Sequence, residues 1–460
     1  MRASIPRFMI AAPSSGAGKT TVVVGLLRCL ARRGLDVRAF KCGPDYIDSM
    51  FHETVLGIPC GNLDLFLSTP DEARALLAER VAGADLALVE GVMGFYDGIG
   101  GTSDEASSYA VATATDTPVV LVVDGSGVSL TLAAVVGGIR EFRADSHIAG
   151  VIVNKCRKGV FDMLAPVIEA ECGVPALGYV ERDDAIALES RHLGLVTAAE
   201  VEDLQERVDA LADALERTVD VDALLALAGT APDVECEPAA VAPACEPDGC
   251  TIAVARDEAF CFYYDESLEH LRRLGARLAF FSPLRDEALP ADADALYLGG
   301  GYPELHAAEL AANEPMLVAA RAAHAAGMPV FAECGGFLYL KEWLEDVEGT
   351  RWPMAGILAG GSRYTGKLSR FGYIEMTARN GGMGIAAGDA LRAHEFHYYD
   401  SDDNGSAFRA EKPRSARAWD CMVVQPRLVA GFPHLYLPSC PDFARGFVEA
   451  ALAYRGERRA

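Results

Sequence analysis

Near the start of the chain, Pro13-Ser14-Ser15-Gly16-Ala17-Gly18-Lys19-Thr20-Thr21 has the residue types and order needed to hold a polyphosphate. A phosphate-binding loop reads G-x-x-x-x-G-K-[ST], and here only its first glycine is replaced, by Pro13. Gly16 and Gly18 let backbone amides approach phosphate oxygens. Lys19 supplies a point charge at the β/γ-phosphates, and Thr20 offers a hydroxyl to Mg²⁺. Ser15, Gly16, Ala17, Gly18, Lys19, Thr20 and Thr21 are therefore the ATP-binding candidates. A plain glycine turn is the competing reading, but it does not call for Lys-Thr opening a helix. Two acids at later strand ends extend the site: Asp45 in KCGPDYID and Glu90 in VEGVMG. Mg²⁺ prefers one or two carboxylates plus phosphates and waters, so Thr20, Asp45 and Glu90 form the metal candidates. Either acid alone would serve equally well as a helix cap. Asp124 ends VVLVVD, and Asn154 ends GVIVN, where it could read an adenine edge; a turn-forming role fits both as well.

A second constellation lies in the other half. Val330-Phe331-Ala332-Glu333-Cys334-Gly335-Gly336 reads as a short apolar strand ending at a cysteine, with two glycines opening the next segment. That is the layout of a nucleophile elbow, a sharp turn exposing a side chain at the top of a sheet. A helix N-terminus and a nearby imidazole would lower the thiol pKa and give thiolate at neutral pH. The bland alternative for a cysteine is an inert buried residue. Upstream, Leu298-Gly299-Gly300-Gly301-Tyr302-Pro303-Glu304 can present backbone amides to an oxyanion, with Gly300 and Gly301 as the candidates. His434, in a late apolar run before a terminal helix, is the natural base for Cys334; His394 and His397 are the other candidates.

These residues need an α/β framework. Strand-like runs at 8–12, 37–41, 86–90, 119–124 and 150–154 alternate with helical patterns such as 19–33 and 71–82, which predicts a parallel sheet covered on both faces. Ligands of such sheets bind beyond the C-terminal ends of the strands, where most of the chemistry above sits. Residues 198–226 read as one or two helices. The Pro-, Ala- and Glu-rich stretch after them reads as a linker. The expected division is 1–226, a nucleotide domain; 227–250, the linker; and 251–460, a second α/β domain.

The chain has 460 residues, enough for two or three domains, and a net charge of −25. That charge argues against general affinity for nucleic acid or anionic membranes. No apolar run reaches the length of a membrane span. The 12 cysteines show no paired spacing, and with no export signal a reducing cytoplasm is expected. Cys236, Cys245 and Cys250 fit no zinc pattern.

Taken in order, PSSGAGKTT, KCGPDYID with His52 after it, NLDLFL, VEGVMGFYDG, RHLGL, ARDEAFCFYY, LGGGYPE, AECGGFLYL and HEFHYY make the chain resemble the cobyrinic acid a,c-diamide synthase family, the corrin-ring amidotransferases of cobalamin synthesis. The resemblance covers nearly the whole chain. It implies an N-terminal P-loop domain like dethiobiotin synthetase and a C-terminal class I glutaminase of the cobalamin subtype. It also implies a reaction. Glutamine yields ammonia through a Cys334 thioester, ATP phosphorylates the c and then the a acetate carboxylate, and ammonia displaces phosphate. Asp48 and Asp97 match family acids near substrate or nucleotide. Glutamine and a tetrapyrrole polycarboxylate are the implied partners, with a homodimer left open. Many glutaminases carry Glu two residues after the histidine. Here Tyr436 stands there, as the cobalamin subtype allows, so His434 has no obvious orienting partner.

There are rival readings of two kinds, the first sharing these motifs and the second of another class. Ni-sirohydrochlorin and hydrogenobyrinic acid diamide synthases do the same chemistry on other macrocycles. A MinD-like ATPase switch would be a binding module, and an intact Cys334, LGGGYPE and His434 speak against it.

Overall fold

The computed structural model describes residues 2–183, 198–237 and 241–459. It divides into two compact units, Met1–Ala239 and Ala240–Ala460. Arg191–Leu195 of the RHLGL string lies outside the described residues.

The first unit is built on a seven-stranded sheet whose pairings are all parallel. Its spatial order is Cys60–Leu63, Val37–Cys42, Leu86–Glu90, Arg7–Ala11, Val119–Asp124, Ile148–Asn154, Ala176–Val180. Arg7–Ala11 is buried along its whole length, as a central parallel strand must be when helices cover both faces. Its side chains alternate between two cores. Met9 and Ala11 join one, with Val89 and Leu121; Phe8 and Ile10 join the other, with Leu88 and Val120. The helix Lys19–Arg32 packs Val22, Val23, Leu26, Leu27 and Leu30 into the second core. The chain reverses its direction of travel across the sheet at this central strand, so the loop after Ala11 opens into the crevice where α/β sheets bind ligands.

The expected helices after 198 are present as Ala198–Thr218 and Val221–Ala228. Part of the Pro-rich stretch is ordered against the first unit: Val234–Glu235 pairs antiparallel with Arg2–Ala3. Among the described residues, no helix is long and apolar enough to cross a membrane.

The second unit has a six-stranded sheet. Ala276–Phe281, Cys250–Ala255, Ala295–Leu298, Val330–Glu333 and Leu428–Gly431 run parallel, and Val423–Gln425 closes one edge antiparallel. A five-stranded antiparallel sheet contains Arg370–Ala378, Ala390–His397 and His434–Leu435. Glu333 pairs with Gly431, and His434 pairs with His394. These registers bring the cysteine turn and the late histidine to the same end of the unit.

Candidate active sites

In the first unit, Gly16 and Gly18 hold φ of 80° and 95°, values that side chains with a Cβ rarely adopt. A Cβ on Gly18 would stand 2.0 Å from Asn154 Nδ2. The loop is thus wrapped against Asn154, whose Nδ2 donates to Ala17 O at 2.8 Å and whose Oδ1 accepts from Lys155 N at 2.9 Å. Beside the loop is a cavity of about 690 Å³, lined by Ser15, Gly16, Gly18, Lys19, Thr20 and Thr21 together with Lys41, Asp45, Gly91 and Asn154. Every expected ATP-binding residue except Ala17 lines it; Ala17 is buried and offers its carbonyl to Asn154.

Under the cavity lies a buried ionic cluster. Glu90 is 0% exposed. Its Oε1 accepts from Thr20 Oγ1 at 2.6 Å and lies 2.9 Å from Lys41 Nζ, while its Oε2 lies 3.2 Å from His52 Nε2. Lys41 also pairs with Asp48. Burial disfavours ionisation of Glu90, but Lys41 and His52 outweigh it and hold the carboxyl well below the usual range. Burial, then the Glu90 charge, pushes Asp48 up to about 6. Burial, then Lys41, pulls Lys19 down to about 8. Lys19 Nζ donates to Met93 O at 2.5 Å. Asp45 Oδ1 accepts from Ile47 N at 2.9 Å and Asp48 N at 3.2 Å, fixing the start of the helix Ile47–Leu56. Asp97 Oδ2 accepts from Gly94 N at 2.9 Å and so shapes the VEGVMG turn. Asp124 pairs with Lys155 at 2.7 Å. Sequence reasoning gave no role to Lys41 or His52. The available signal was a lysine near the C-terminal end of the strand Val37–Cys42.

In the second unit, Cys334 has φ 46° and ψ −101° and precedes the short helix Gly335–Leu340, the strained turn expected of an elbow. Its amide donates to Gly431 O at 2.8 Å. Gly335 lies against the triple-glycine turn: a Cβ there would be 3.1 Å from Gly301 N. Gly336 N donates to Gly299 O at 2.9 Å. His434 closes the arrangement, since a Cβ on Gly300 would stand 2.5 Å from its Cε1. Gly300, Gly301, Cys334 and His434 therefore converge. His394 and His397 flank His434 without replacing it. His394 is its cross-strand partner, and His397 stacks on Phe432 with centroids 3.9 Å apart while its Nδ1 lies 2.7 Å from Tyr399 O.

The electrostatics correct one expectation. Burial, then the nearby Glu304, pushes the Cys334 thiol well above its ordinary value, and the Gly335 amide does not compensate. Burial, then His394 and His397, pulls His434 down to about 3. Both shifts favour neutral thiol and neutral imidazole at rest over a preformed thiolate, and burial is the larger cause in each.

Residues 8–196 match the model of the CobQ/CobB/MinD/ParA nucleotide binding domain. Residues 251–438 match that of the CobB/CobQ-like glutamine amidotransferase domain. Three curated relatives carry the same description, cobyrinate a,c-diamide synthase. The protein from Salmonella typhimurium is 43% identical over 96% of this chain and 98% of its own. That from Listeria monocytogenes is 42% identical over 85% and 86%. That from Caldanaerobacter subterraneus is 38% identical over 97% and 98%. With a nucleotide-binding unit and a glutaminase unit in one chain, this protein is an amide-forming ligase that uses ATP and takes nitrogen from glutamine, and it belongs to the cobyrinate a,c-diamide synthase family.

Proposed function

We propose that the chain converts the a and c acetate carboxylates of cobyrinic acid to amides. The observation that carries this is near full-length similarity to relatives so described, with both constellations of side chains intact. The N-terminal segment 1–226 is proposed as the ligase domain and 251–460 as the glutaminase.

A carboxylate is a poor electrophile, and transfer of the γ-phosphoryl group gives it a leaving group. Lys19 and the amides of the Ser15–Thr21 loop hold the β/γ-phosphates; Asn154 keeps one N–H and one lone pair for the adenine edge. Mg²⁺ would be held by Thr20, Asp45 and Glu90. The fit rests on the donors themselves, two hard carboxylates and a hydroxyl: Thr20 and Asp45 line the cavity, and Glu90, buried beneath it, has Oε1 2.6 Å from Thr20 Oγ1. When bound, the ion neutralises charge on the phosphate oxygens. Asp48 and Asp97 support the substrate side, Asp48 through Lys41 and Asp97 by fixing the turn that carries Met93 O.

At the other site, His434 takes the Cys334 proton as the sulfur attacks the glutamine side-chain carbonyl. Gly300 and Gly301 would present their amides to the oxyanion. The imidazolium returns the proton to departing ammonia, leaving a thioester that water hydrolyses to glutamate. Ammonia then attacks the acyl phosphate, expelling phosphate and losing a proton.

The test is purified protein with cobyrinic acid, ATP, Mg²⁺ and glutamine, read by mass spectrometry. Two successive losses of about one mass unit, each a carboxyl-to-amide change, are expected. Glutamine hydrolysis with no corrinoid product would reject cobyrinic acid and move the reading to Ni-sirohydrochlorin or hydrogenobyrinic acid.

A further inference from the structure

Glu333, next in sequence to the nucleophile, is 2% exposed and ends the strand Val330–Glu333. Its two oxygens have different partners. Oε1 accepts from Leu435 N at 2.6 Å, the amide directly after His434. Oε2 accepts from Tyr297 OH at 2.7 Å. Tyr297 lies in Ala295–Leu298, the strand that runs straight into Gly299-Gly300-Gly301. Its ring is locked by stacking on Phe331, with centroids 4.8 Å apart, and by edge contact with Tyr263 at 5.1 Å. The Tyr263 hydroxyl in turn accepts from Gly299 N at 2.8 Å.

One carboxyl thus joins the strand bearing the cysteine, the strand feeding the oxyanion turn and the strand bearing the histidine. We propose that Glu333 is the positioning residue of the glutaminase: it holds His434 in register with Cys334 through the Leu435 amide, in place of the acid that other glutaminases carry two residues after the histidine. This rests on the reading of Cys334 and His434 as nucleophile and base. The geometry supports a role beyond packing. A carboxyl carried into a dry core needs a reason, because an unpaired buried polar group is costly, and both of its bonds lead to functional limbs. Burial pushes Glu333 up to about 8, with the Leu435 amide and Tyr297 pulling the other way, so it acts mainly as a neutral bridging group. Glutamine keeps the shape, accepts from the Leu435 amide through its oxygen and can donate its side-chain N–H to the Tyr297 oxygen, so it can then replace Glu333, whereas leucine cannot.

The experiment measures kcat and KM for glutamine hydrolysis, and the rate at which a chloroketone analogue of glutamine labels Cys334, in four full-length variants. Glu333→Leu should lower kcat and labelling about a hundredfold, the scale of a misplaced catalytic group, with KM within about threefold of wild type. Glu333→Gln should restore both to within about threefold. Tyr297→Phe, which removes one tie, should lower kcat by about tenfold and keeps the test open if the leucine variant does not fold. Ammonia-driven amidation should stay at wild-type level in all of them. Wild-type kcat in Glu333→Leu or Tyr297→Phe overturns the proposal. So does an equal loss in Glu333→Leu and Glu333→Gln, because glutamine still accepts from the Leu435 amide and can donate to the Tyr297 oxygen. Cys334→Ser separates the two levels of inference: if it still hydrolyses glutamine, the site reading itself falls.

Discussion

Thr20 Oγ1 donates to Glu90 Oε1 across 2.6 Å, which ties the phosphate loop to the most deeply buried acid of the first unit. The same carboxylate oxygen lies 2.9 Å from Lys41 Nζ. Removing the Glu90 charge leaves Lys41 with Asp48 as its remaining close acid. Breaking a buried pair on one side costs about 3–5 kcal/mol; with Asp48 retained, about 2–3 kcal/mol is expected for Glu90→Gln, read by denaturant unfolding of the nucleotide-free protein. Amide formation, driven by glutamine or by ammonia, should fall at least about a hundredfold. Unchanged stability and unchanged amidation together would remove Glu90 from both roles.

Lys19 sits at about 8 because burial and Lys41 oppose its charge, with Glu90, Asp48 and Asp97 acting the other way. A bound polyphosphate favours the charged ammonium and raises that value. At about pH 9 the free protein has largely lost the Lys19 proton and the complex has regained it, so ATP binding should take up about one proton. At pH 6.5 the ammonium is present in both states, and Lys19 contributes no uptake. Calorimetry in buffers of differing ionisation enthalpy reads this directly. Lys19→Arg should abolish the pH 9 uptake; its persistence would assign the proton elsewhere.

Gly18 combines a left-handed backbone with contact at Asn154. Gly18→Ala adds about 1–2 kcal/mol of backbone strain and must displace Asn154 from Ala17 O. Affinity for ATP should fall at least about tenfold, measured by titration, while kcat for glutamine hydrolysis is unchanged. Wild-type affinity would mean that the loop tolerates a relaxed conformation.

The neutral resting state of Cys334 and His434 makes a kinetic prediction. Iodoacetamide should alkylate Cys334 slowly at pH 7, and the rate should rise about tenfold per pH unit to at least pH 9, since thiolate is the reacting form. The chloroketone analogue of glutamine should label it rapidly at pH 7, because its carbonyl recruits the oxyanion donors. Peptide mass spectrometry at Cys334 distinguishes the two. A plateau in the iodoacetamide rate near pH 7 would show a preformed thiolate.

Much of this was legible in the sequence because the informative parts are local. The phosphate loop, the elbow at Cys334 and the triple-glycine turn are each a strand end followed by residues with special backbone demands, and the structure places them so. The two cores follow from alternation along Phe8–Ala11 and its parallel partners. The parts that escaped depend on long-range register. Lys41, His52 and Glu90 meet only because Lys41 aligns with Glu90 across two adjacent strands and the helix after Asp45 turns His52 inward. The pairing of Glu333 with Leu435 spans residues about a hundred apart and needs the sheet to exist first. The upward shift of the Cys334 thiol escaped for the same reason: the motif names the helix end, but burial and Glu304 come from the fold.

Arg2–Ala3 pairs with Val234–Glu235, and Arg2 adds an ion pair to Asp233 at 2.7 Å. The first unit therefore fastens its earliest described residues to its latest, like a belt buckled on itself. Such closure joins both margins of the nucleotide-binding unit in one short ribbon, and every sheet of the described residues is completed within its own unit.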